Sequence, residues 1–200
     1  FDGTVADNIG FAKPGSTLAG STDVDAGTTL ELSGGTTSVN GGTLTLDGRL
    51  LLNGATVTES GALTVAGSGA IELAAGTLTV NGSIDTANYL QSGGTLDGGG
   101  TVTLTGNASQ WTGGTMAGAG LTLNNGTLSL SGDNPKDIQS RTLRNAAGGT
   151  VNWSAVTGNN GRIRTGSGAL LDNLGQWNDI NTVANRISND FGGAVATFAN

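Results

Sequence analysis

The chain has 200 residues, 37 of them Gly, with two Pro, no Cys, no His and a formal net charge of −7. The absence of Cys removes disulfide staples and thiolate metal sites, and the absence of His removes the commonest general base and metal ligand. Of eight Lys and Arg, only Arg141/Arg144 and Arg162/Arg164 fall close together, too sparse a cluster to follow a phosphate backbone, so no nucleic-acid partner is expected.

Residues 1–27 match the rest of the chain least well and are expected to form a lead-in or cap. From residue 28 the chain becomes a series of short alternating runs, each closed by Gly. Thr43–Leu46 stops before Gly48, Ala55–Thr58 before Gly61 and Ala62–Val65 before Gly67. Ala70–Leu73 stops before Gly76 and Thr77–Val80 before Gly82; Thr101–Leu104, Leu121–Leu123 and Thr127–Leu130 come later. Period-two alternation sends Leu, Val and Ile to one face and Thr, Ser and Asn to the other, which predicts strands. The Gly turns recur too closely for a helix to intervene. No run of bulky apolar residues exceeds Leu50-Leu51-Leu52, far short of a membrane span.

Gln91-Ser92-Gly93-Gly94-Thr95-Leu96 returns as Trp111-Thr112-Gly113-Gly114-Thr115-Met116. This offset falls in the range of solenoid repeats, and three short strands with their turns fill the same length. The two readings agree on a β-solenoid of about 20 residues per coil, with a β-sandwich as the rival. Eight to ten coils at ~4.8 Å per strand would make a rod of roughly 40–50 Å. Residues 28–132 read as its regular coils. Past the turn-rich Asp133-Asn134-Pro135, residues 133–200 read as longer, aromatic-containing coils of the same solenoid, with Asn145–Trp153 echoed at Asn173–Trp177 and again from Asn189. Ile180, Val183, Ala184 and Ile187 have helical spacing, but the Asn and Ser between them favour strand and turn.

Gln110–Met116, Asn145–Trp153 and Asn173–Gly175 resemble the Gly/Thr/Asn-rich repeats of large bacterial surface proteins of the autotransporter-passenger and filamentous-haemagglutinin type. The resemblance covers roughly residues 28–200 and its motifs are degenerate. It implies a right-handed parallel β-helix in a secreted, surface-displayed rod with adhesive or scaffolding work. Such families share no catalytic residues, so none is carried over.

Glycoside cleavage requires two carboxylates on one face, whereas Glu31, Asp47, Glu59, Glu72, Asp85 and Asp97 are spread thinly. Asp23/Asp25 and Asp133/Asp137 are expected in turns, and Lys13 and Lys136 offer little as bases. No catalytic residue, metal site or cofactor is therefore expected. The Thr-x-Thr pairs at 43/45, 56/58, 77/79 and 101/103 are too unevenly spaced to share one face. Trp111, Trp153 and Trp177 are the candidate glycan contacts, set against core filling as the alternative use of a large apolar ring. The expected function is a non-enzymatic extracellular structural or adhesive segment at a bacterial cell surface. Its expected partners are copies of itself end to end or the rest of a longer surface protein, and surface glycans, without membrane insertion. The alternative is a carbohydrate-binding or polysaccharide-degrading β-helix of tailspike type.

Overall fold

The computed structural model describes residues 3–5, 9–11, 15–18, 21–158 and 160–200. Every described regular element is a strand, and every strand pairing is parallel. The chain is a β-solenoid whose turns lie about 21 residues apart. Each turn contributes one strand to each of three faces. Face A is a ten-stranded sheet running from Gly3–Val5 through Ser21–Val24, Gly42–Leu46 and Ala62–Ala66 to Leu170–Asn173 and Thr197–Ala199. Faces B and C carry the second and third strands of each turn. They join into one sheet because Arg49–Glu59 and Ala70–Val80 each run through both faces.

That junction differs from the expected pattern, in which Gly76 closes one strand and a new one begins at Thr77. Residues 70–80 instead form a single bent strand, with register shifts around Ala75. Gly54 and Gly76 hold the bends at φ values of 114° and 84°, where residues with a Cβ are strained. A strand bent at a bulge keeps its pairing on both sides of the corner.

The repeat between Gln91 and Trp111 is the coil itself. Gln91 pairs with Trp111, Thr95 with Thr115 and Leu96 with Met116 on successive turns. On face A the step is 18 residues from Ser83 to Thr101 and 22 from Thr22 to Leu44. It grows to 28 from Leu143 to Leu171 and 27 from Leu171 to Phe198. The described strands before residue 25 already take their places on the three faces. Residues 179–188 hold no helix; Ile187–Ser188 is a short strand paired with face C.

Alternation fills the lumen. Leu32, Leu52 and Leu73 stack in one inward column and Leu30, Leu50 and Ile71 in another. The corner before face A is built by a glycine column, Gly61, Gly82, Gly100 and Gly120, whose carbonyls receive the N–H of Ser83, Thr101, Leu121 and Thr142 one turn on. A Cβ on Gly82 would sit 1.7 Å from the Gly61 carbonyl oxygen, so backbone stacks directly on backbone there. Of the Thr-x-Thr pairs, 43/45 and 101/103 lie on face A, while 56/58 and 77/79 stack on face C.

Candidate functional site

From about residue 86 onward buried polar side chains become more frequent among the apolar ones in the lumen. Arg141 takes the fifth place in the glycine column, since Thr142 follows it as Leu121 follows Gly120. Its side chain folds inward and is fully buried. Nε donates to Thr122 Oγ1 at 2.9 Å, and the terminal nitrogens donate to the carbonyls of Ala117 and Leu121 at 3.1 Å and of Gly98 at 3.4 Å. Burial lowers its pKa to about 10, partly offset by Tyr89 and Asp97. Tyr89, also buried, donates to Gln91 Oε1 at 3.2 Å, and burial holds its phenol well above the ordinary value. Lys136 is buried on face C, with Nζ donating to the carbonyls of Gly132 at 2.8 Å and Asn134 at 3.0 Å. Burial lowers its pKa to about 8. These cations are held mainly by backbone carbonyls, with the Thr122 hydroxyl also accepting from Arg141, an arrangement that fixes packing.

The second polar feature is a ladder of asparagines on the inner side of face A. Asn124 Nδ2 donates to Asn145 Oδ1 and Asn145 Nδ2 to Asn173 Oδ1, each at 2.8 Å, and Asn173 Nδ2 donates to Asn200 Oδ1. Each of the first two also donates to carbonyls across the adjoining corner, Asn124 to Gly126 and Thr150, Asn145 to Gly149 and Gln176. The Asn145 and Asn173 echoes in the sequence are rungs of this ladder. Asn124 and Asn200 are rungs that the echoes did not single out, and Asn189 lies off it.

The acidic residues are dispersed and mostly committed. Glu72 Oε2 accepts from Arg49, Asp172 from Arg144 and Asp137 from Arg164, the last through two bonds of 2.6 Å. The bonds to Asp137 raise the Arg164 pKa. Asp137 belongs to the strand Lys136–Gln139, which corrects its expected place in a turn: its alternation with buried Lys136 and Ile138 puts it on the outer wall. Asp133 does cap a turn, accepting from the Thr157 hydroxyl and the N–H groups of Thr157 and Val156; these bonds, led by the hydroxyl's, lower its pKa. Glu59 is the exception. It points into the lumen between Val39 and Val80 with 0% exposure. Its Oε2 accepts from Gly82 N–H at 3.1 Å, Oε1 has no partner among the described residues, and burial raises its pKa. Lys13 lies outside the described residues.

The tryptophans do not gather into a sugar platform. Trp111 has 0% of its surface exposed and Trp153 4%. Both fill the lumen, and Trp153 Nε1 donates to the Gly161 carbonyl at 3.0 Å. Neither ring has a free face, which corrects their candidacy as glycan contacts. Trp177 is partly buried and meets Phe198 edge-on, ring centroids 5.2 Å apart, at the C-terminal end of the described solenoid.

The outer wall of face B carries a shallow groove of about 120 Å³ lined by Glu72, Leu90, Gln91, Ser92, Gln110 and Thr112. Glu72, Leu90 and Gln110 are successive members of one outward column. Ser92 and Thr112 edge the corner beside Gly93-Gly94 and Gly113-Gly114. Sequence reading did not connect these residues, because Glu72, Gln110 and the corner residues Ser92 and Thr112 form no motif along the chain. Comparison of the chain with family models, curated proteins and solved structures finds no match.

Proposed function

We propose that this chain is a non-enzymatic structural and adhesive segment of an extracellular bacterial surface protein, a β-solenoid rod that makes its contacts through its outer wall and its ends. The observation that carries this reading is the filled lumen. Side chains from three faces pack it, and its buried cations are bound to protein carbonyls, so the shape serves as a spacer and a display surface. Asp137, Asp172 and Glu72 are engaged by arginines, which favours wall-stabilising roles over acid–base chemistry. Copies of the chain joined end to end, or further turns of a longer surface protein, are the partners that a parallel strand edge suits. Weak outer-wall contacts would then sum along the rod by multivalency.

Negative-stain electron microscopy of the native material, with purified chain at two concentrations beside it, tests the reading. Fibres with an axial repeat of one chain support end-to-end assembly. Short rods of uniform length that attach to cells support an adhesin segment. Release of reducing ends or unsaturated products from a bacterial polysaccharide would overturn the non-enzymatic assignment.

A further inference from the structure

We propose that the groove on face B is a binding subsite for a neutral oligosaccharide lying along the rod axis, with one pyranose ring seated between Glu72, Ser92 and Gln110. The inference rests on the adhesive reading of the rod and names the ligand class for it.

Three polar groups in the groove are uncommitted. Arg49 bonds to Glu72 Oε2 and leaves Oε1 open. The Gln110 carboxamide and the Ser92 hydroxyl make no side-chain hydrogen bond among the described residues. A carboxylate oxygen accepts from sugar hydroxyls, a carboxamide both donates and accepts, and a hydroxyl does either. Together they match adjacent hydroxyls of a pyranose ring. Leu90 stands between Glu72 and Gln110 in the outward column and offers an apolar floor for the C–H face of the ring. No Lys or Arg lines the groove, the Arg49 guanidinium at its edge is engaged by Glu72, and the chain's net charge is −7, which disfavours a uronate or sialylated chain there.

The column continues beyond the groove as Ser129, Asn152 and Asn178, uncharged and hydrogen-bonding, with neighbours about 4.8 Å apart. From Gln110 onward an extended neutral chain thus meets a polar group at each turn through Asn178. The expected affinity is in the range of about 1 mM for a single subsite, sharpened where several rods engage one polymer.

Isothermal titration and saturation-transfer NMR with cellotetraose, maltotetraose, mannotetraose and chitotetraose, each up to about 10 mM, test this on the full chain, with tetragalacturonate as the anionic probe. At least one neutral series should bind. Gln110→Ala and Glu72→Gln should each weaken binding about tenfold or more, while Asp85→Asn on face A leaves it unchanged. Ser92→Ala, which touches no ion pair, keeps the test sound if Glu72→Gln loosens Arg49. Failure of every neutral tetramer to bind, binding of tetragalacturonate alone, or equal affinity in the groove variants would overturn the subsite. Rods that attach to cells yet bind none of these sugars would sink the subsite and leave the adhesive reading standing. Sugar binding by rods that do not attach would do the reverse.

Discussion

Replacing Asn145 with Ala removes the centre of the asparagine ladder. Asn145 accepts from Asn124 and donates to Asn173, Gly149 and Gln176 over 2.8–3.2 Å. Its two amide hydrogens are shared among three acceptors, so the loss amounts to roughly three bonds at about 1 kcal/mol each. The Asn173 oxygen then loses its donor inside the lumen, which adds the cost of an unpaired buried group, whereas the Gly149 carbonyl keeps the Gln176 N–H. The expected loss is about 3–5 kcal/mol, a large part of a total stability on the order of 5–15 kcal/mol. Because solenoid turns are coupled mainly to their neighbours, the loss should concentrate in the turns around Asn124, Asn145 and Asn173. Urea denaturation should show a lower midpoint, and hydrogen exchange should show lost protection at residues 121–124, 142–145 and 170–173. Asn200→Ala removes one rung at the exposed end and should cost about 1 kcal/mol or less. If Asn145→Ala falls within about 1 kcal/mol of wild type, or Asn145→Leu is stabilising, the ladder is no determinant of stability.

Gly82→Ala should destabilise by at least about 2 kcal/mol, because its Cβ would lie 1.7 Å from a carbonyl oxygen of the turn below; Gly148→Ala, with nothing within 4 Å of the added atom, should stay within about 0.5 kcal/mol in thermal melts. Lys136 has a folded pKa of about 8 against an ordinary 10.5, so the folded state sheds its proton first. Stability should therefore rise with pH from about 8 to 10.5, by at most about 1.4 kcal/mol per pH unit, and the neutral amine keeps two hydrogens for its two carbonyls; a pH titration of the urea midpoint that is identical in Lys136→Met contradicts this. Glu59 behaves oppositely. Its raised folded pKa means the unfolded chain loses its proton first, from 4.5 upward, so stability should fall as pH rises from there through the folded pKa, by at most about 1.4 kcal/mol per unit. Glu59→Gln should abolish that fall, and a fall of equal slope in the variant would assign it to other groups.

The period and the alternation were legible because both are written in residue type. Gln91/Trp111 and Leu96/Met116 mark the coil length, and Thr-Leu-Thr-Leu words mark the strands. What alternation leaves open is the content of the lumen. An inward position held by Thr122, Asn124 or Glu59 has the same parity as one held by Leu, so its polarity misleads a reading based on hydrophobic faces. Arg141 read only as one of two neighbouring arginines, because nothing in the sequence says that it inherits a glycine's place and must turn inward. The tryptophans were legible as large apolar area, but their direction depends on register. The groove on face B was invisible, since Glu72, Ser92 and Gln110 come from different turns and meet only once the coil step is known.

The change in lumen chemistry along the rod has a physical purpose within the fold. Short strands rich in Gly and Thr specify register weakly, because a slip of one turn exchanges similar words for one another. Columns such as Leu32, Leu52 and Leu73 lower the energy of any stack of leucines, correct or shifted. The Asn ladder and Arg141 discriminate. Asn124 and Asn145 each bond a ladder neighbour and carbonyls across one particular corner, and Arg141 reaches carbonyls of the turns below it. A slipped turn would leave these groups buried and unpaired, at about 1–3 kcal/mol apiece. The polar lumen thus fixes which turn stacks on which where the coil step lengthens to 27 and 28 residues and a uniform repeat can no longer do so.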